Sequence, residues 1–103
     1  MYNKYSNKKT KVGIIKLDSK LEARIWVNLQ WREKAGEITD LQRQVSYELN
    51  PGGTFSYKYR ADFVFKEKGV TIVADAKGYR TAEYLKKKKL MKKVHGIDIL
   101  ELK

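Results

Sequence analysis

The chain has 103 residues and a formal net charge of +11, from 23 Lys plus Arg against 12 Asp plus Glu, which suits one domain with a polyanionic partner, either nucleic acid or an anionic membrane. It has no cysteine and one histidine, which excludes disulfides, thiolate metal sites and histidine-rich zinc sites and leaves oxygen ligation of Mg²⁺ or Mn²⁺ for any metal. No apolar run approaches the ~20 residues of a membrane span, and no apolar segment follows the basic start MYNKYSNKKTK, so a cytoplasmic protein with no signal peptide and no membrane span is expected, with nucleic acid rather than a membrane as the partner.

Residues 1–11 read as a basic arm carrying Lys8, Lys9 and Lys11: disordered, ordered on DNA, or exchanged in a dimer. The domain proper is 12–103, opening with a short extended piece at 12–17. Ser19 and Glu22 form a capping-box pattern. Leu21, Ile25 and Leu29 then recur at helical spacing, with Ala23, Trp26 and Val27 widening the stripe and Gly36 as a stop, which predicts a helix over 19–35. Trp26 and Trp31 suit the core or a dimer interface better than base stacking.

Alternation predicts strands at 41–49, with Leu41, Val45, Tyr47 and Leu49 on one face, and at 57–66, with Tyr59, Ala61, Phe63 and Phe65 inward. Asn50-Pro51-Gly52-Gly53 separates them. A third strand over 70–77 follows a turn ending in Gly69. Thr81 opens a second helix through Val94, Gly96 stops it, and 97–102 forms a last strand. The expected fold is α/β: a single domain with a mixed four-stranded sheet flanked by helices.

Within this frame, Asp62 and Asp75-Ala76-Lys77 are the residues most suggestive of chemistry. Side chains alternate along a strand, so Asp75 and Lys77 share a face. A connecting turn of two or four residues, such as Lys66 to Gly69, adds Asp62 to that face, whereas three residues would remove it. Two carboxylates can hold Mg²⁺, and a lysine beside them can steer a water. The structural alternatives are a solvated Asp62 opposite a lysine and an Asp75 neutralised by Lys77. Glu22 is either a capping residue or a third acid facing the sheet.

Gln44 is a strand position on or off the active face. Tyr79 and Arg80 precede a helix whose N-terminal amides could take a phosphate, although a simple Thr81 cap also explains the corner. Lys86, Lys87, Lys88, Lys89, Lys92 and Lys93 crowd one helix and would repel one another without an anion, which favours a phosphate-contact surface over a solvated face. His95 needs no role beyond the helix end.

The helix-one Glu22, Asp62, the Asp75-x-Lys77 spacing and the order helix–β–β–β–helix–β together resemble the PD-(D/E)xK nuclease superfamily over residues 18–102. The stretches YRADFVF and VADAKGYRT also look like small phage and prophage proteins assigned to it, near phage-type Holliday-junction resolvases. The resemblance implies a restriction-endonuclease-like core and a metal-dependent endonuclease in a bacterial host. Asp62, Asp75 and the Ala76 carbonyl would hold Mg²⁺ or Mn²⁺, with Glu22 as a further acid. Lys77 would position the water, leaving a 5′-phosphate and a 3′-hydroxyl. Ala61 stands where the motif's proline would be, and Asp75 fills the D/E position.

A homodimer acting on branched DNA is the preferred expectation, because backbone-contacting lysines carry no sequence information and a two-fold dimer offers paired nicks. One alternative is a nicking, restriction-like or homing enzyme, with loop 50–56, the 79–81 corner and the arm making base contacts. Another is a non-catalytic DNA-binding protein. A basic ribosomal-type protein would leave the acids unexplained.

Overall fold

The computed structural model describes residues 10–12, 15–17, 20–77 and 80–103. Strands β1 (Thr10–Val12) and β2 (Ile15–Leu17) pair antiparallel, with Val12 opposite Ile15. The single extended piece expected at 12–17 is therefore two strands. Folding back pairs main-chain groups that one isolated segment would leave bare. Lys8, Lys9 and the Ser19 cap lie outside the described residues, as does the side chain of Lys11.

Helix α1 (Lys20–Lys34) buries Ala23, Ile25, Trp26 and Leu29. Val27 and Trp31 do not join them, and Trp31 is 66% exposed. At about 100° per residue, Trp31 points about 200° away from Leu29, so the core reading of Trp31 fails on helix geometry alone.

Strands β3 (Thr39–Glu48), β4 (Lys58–Glu67) and β5 (Val70–Ala76) form an antiparallel meander. Helix α2 (Ala82–Leu90) and a π-helical turn (Met91–His95) lead to β6 (Leu100–Leu102), which joins β5 in parallel. The sheet is thus mixed, in the order β3-β4-β5-β6, with helices flanking it in one α/β domain. Thr81 caps α2 by accepting the Tyr84 N–H at 3.0 Å, and Gly96, at φ 69°, ends the helical run. No described helix is long and apolar enough to cross a membrane.

Lys68 and Gly69, at φ 53° and 79°, make a two-residue turn between β4 and β5. The four-residue turn expected from Lys66 is shorter in fact, because Lys66 and Glu67 still pair with Thr71 and Val70. Two and four residues have the same parity, so Asp62 stays on the face of Asp75.

The core has two parts. Trp26, Leu29, Ile38, Phe63 and Phe65 form the cluster under α1, while Leu49, Tyr59, Ala61, Val64, Tyr84 and Met91 form the cluster under α2. The expected single inward row of Tyr59, Ala61, Phe63 and Phe65 is therefore divided. On β3, Leu41 joins the α1 cluster, whereas Val45 and Tyr47 join the other. Both strands change sides at the level of Gln44 and Asp62, where Gln44 has φ 55°. One left-handed residue in a strand rotates the residues after it, as a bulge does.

Candidate active site

Asp62 and Asp75 face each other one step beyond the pair Phe63–Ala74. Side chains complete the ladder there. The Asp62 N–H donates to Asp75 Oδ1 at 2.8 Å, and the Ala76 N–H donates to Asp62 Oδ2 at 2.9 Å. Lys77 Nζ lies 3.1 Å from Asp75 Oδ2 and 4.2 Å from the centre of the Tyr84 ring. The three residues that the hairpin was expected to bring together are together. They line a cleft of about 300 Å³ whose walls include Tyr59, Tyr84 and Glu83. A larger hollow of about 460 Å³, beside Arg24, Arg32 and Leu100, lies away from this chemistry and is lined by a single acid, Glu67, among the described residues.

Asp75 is only 3% exposed. Burial, then the charge of Asp75, push the Asp62 carboxyl up to about 7; the Ala76 N–H opposes this, Glu22 adds to it and Lys77 opposes it. Glu22 itself is buried, 3.8 Å from Arg43, whose guanidinium stacks on Trp26. It acts on Asp62 from the α1 side and is not part of the cleft wall. Gln44 sits half-buried at the change of faces.

Sequence reasoning missed Tyr84 and Glu101. Glu101 is in register with Asp75 across β5 and β6. It accepts from the Tyr84 hydroxyl at 2.9 Å and Lys88 at 2.9 Å and pairs with Arg80 at 3.3 Å. Hydrogen bonds from Lys88 and Tyr84 hold its carboxyl below the usual range, while burial pushes the Tyr84 phenol up. The signal available was an acid in the three-residue strand LEL, beside the lysine helix.

That helix corrects another expectation in part, because three of its six lysines are balanced by acids. Lys87 pairs with Glu83 at 3.7 Å, Lys88 with Glu101, and Lys92 with Asp98 at 3.0 Å. Among the described residues Lys86, Lys89 and Lys93 have no ion pair. His95 binds the Glu48 carbonyl at 2.7 Å, consistent with a helix-end role. Tyr79 lies outside the described residues.

The donor set suits a hard divalent cation. Asp62 and Asp75 supply carboxylate oxygens. The Ala76 carbonyl points toward β4, because a strand residue's N–H and C=O share a side and its N–H meets Asp62. Among the described residues no group of three or more His, Asp or Glu could hold an ion unaided. Water or phosphate would have to complete the shell, as is usual for Mg²⁺. The raised carboxyl of Asp62 and the Tyr59 hydroxyl fit such an occupant. The hydroxyl is buried, feels the Asp75 charge, and makes no well-formed hydrogen bond among the described residues.

The family described as "Protein of unknown function (DUF1064)" matches residues 2–100, and the chain belongs to it. No curated protein and no solved structure matches the chain.

Proposed function

We propose that this DUF1064 protein is a divalent-metal-dependent DNA endonuclease with a PD-(D/E)xK site on a restriction-endonuclease-like core. One observation carries the reading: two buried-edge aspartates meet across a hairpin with Lys77 beside them, in a chain of net charge +11. An acidic pair weakens binding to a polyanion, so a protein built only to hold DNA gains nothing from it.

Asp62, Asp75 and the Ala76 carbonyl would hold Mg²⁺ or Mn²⁺, with Glu22 adding negative potential from behind. A bound cation would neutralise phosphate charge and lower the pKa of a coordinated water. The chain's own groups do the rest. The Lys77 ammonium, steadied by the Tyr84 ring, is placed to hold an attacking water or offset charge on the phosphate. The Tyr59 hydroxyl can donate to a phosphate oxygen. The preferred substrate is branched DNA bound by a homodimer in a bacterial cytoplasm, with the gene carried by a phage or prophage.

The test is cleavage of an immobile four-way junction and a matching linear duplex by wild type and Lys77→Ala, with Mg²⁺ or EDTA. Paired nicks on the junction should vanish with EDTA and fall at least 100-fold in the variant, the scale of losing a positioned catalytic group. Equal cutting of the duplex would replace the resolvase-like reading with a nicking, restriction-like or homing one. Tight binding with no cutting of either DNA would leave a DNA-binding protein.

A further inference from the structure

We propose that loop 50–56 is a built platform that presents Phe55 to an unstacked nucleobase beside the acidic cleft, a reading that rests on DNA being the substrate. Phe55 is 71% exposed. A single exposed phenyl is ordinary on a protein surface; the construction beneath this one is not. Glu48 accepts three hydrogen bonds from the loop: from the Ser56 hydroxyl at 2.7 Å, the Tyr57 N–H at 2.9 Å and the Asn50 N–H at 3.0 Å. Those three bonds, in that order, hold its carboxyl down to about 2, so the tie persists at any working pH. The Asn50 side-chain amide donates to the Phe55 carbonyl itself at 2.8 Å. Gly53 leaves room for that bond, since a Cβ there would stand 2.1 Å from the Asn50 amide nitrogen. The Leu49 N–H closes the base by donating to the Tyr57 carbonyl at 2.6 Å. A loop backbone held this firmly loses little further entropy when its ring binds.

Its position gives the partner. Tyr57 is two residues away, at most about 7 Å along the chain. The Lys86 and Lys87 ammoniums lie 5.4 and 5.3 Å from the centre of its ring. Its hydroxyl is 3.5 Å from Glu83, and Glu83 and Lys87 line the cleft that holds Asp62 and Asp75. An exposed ring two residues from a tyrosine flanked by ammonium groups matches a base near its phosphates, the arrangement by which unpaired strands are held. A forked or branched DNA with unpaired arms offers an already unstacked base, whereas a plain duplex must first give up pairing and stacking to provide one. Phe55 thereby contributes to the choice of DNA structure without reading sequence.

The test compares wild type, Phe55→Ala and Phe55→Trp by fluorescence anisotropy, in EDTA, on a forked DNA with unpaired arms and on a fully paired duplex. Phe55→Ala should weaken fork binding about tenfold, the scale of one lost base–aromatic stack. It should change duplex binding less than twofold, and Phe55→Trp should restore the fork. Equal losses on both DNAs, or none on either, would overturn the platform while leaving the acidic cleft untouched. Wild type binding neither DNA would overturn the DNA reading itself and the platform with it.

Discussion

Asp62 works in two directions at once. Its Oδ2 holds the Ala76 amide where the ladder ends, while its charge is opposed by burial and by Asp75. The first contact favours folding and the second opposes it, and pH separates them. A carboxyl raised to about 7 keeps its proton in the folded chain but releases it near 4 in the unfolded one. Between those values the folded state binds the extra proton, so this contribution to stability is complete below about pH 4 and is lost as pH rises through 7. Asp62→Asn keeps an acceptor for Ala76 and removes the titration. Urea unfolding should show the variant gaining on wild type from pH 4 to 7, by about 2 kcal/mol at pH 8 once solvent screening is allowed for. On the proposed nuclease reading, the same variant should show no DNA cleavage at any pH. A variant less stable than wild type at pH 8 would mean that burial and the Asp75 charge together oppose the Asp62 carboxylate less than its contacts support it.

At the scale of elements, the sequence was most legible where contacts are local. The α1 stripe, the Thr81 cap, the Gly96 stop and the parity of the β4–β5 turn follow from spacing within a few residues. The turn also has a plain energetic signature. Gly69 is at φ 79°, with open space where a Cβ would point, so its substitution acts through the backbone alone. Gly69→Val should lower the urea-unfolding free energy by about 1–2 kcal/mol; an unchanged midpoint would show that the turn tolerates another geometry. The change of faces at Gln44 was not legible. On β4 the alternating apolar residues Tyr59, Ala61, Phe63 and Phe65 continue past that level without interruption, and only the packing and the φ of Gln44 show that the rows cross from one cluster to the other. The acids of the site were readable because aspartates are unusual in apolar strands. Glu101 and Tyr84 were not, because their meeting depends on the parallel register of β6, which no local pattern encodes.

At the scale of the whole molecule, a net charge of +11 does not translate into eleven phosphate contacts. Lys88 and Lys92 are held at 2.9 and 3.0 Å by acids of the chain itself. Lys86, Lys89 and Lys93 have no acidic partner among the described residues. Each of these three that touches a phosphate should add about 0.9 to the slope of log K against log salt. DNA titrations over a range of salt should therefore show a shallower slope for Lys89→Ala and Lys93→Ala, and little change for Lys92→Ala. Equal slopes for all three would count against the proposed DNA contact on this helix.

The change of faces also bears on how the molecule comes apart. Strands β3 and β4 are each buried partly under α1 and partly under α2. Lifting either helix away exposes a stretch of strand whose continuation is still clamped by the other. Neither half can open as a separate unit, and the acidic pair lies at the point where the two halves are tied into one cooperative body.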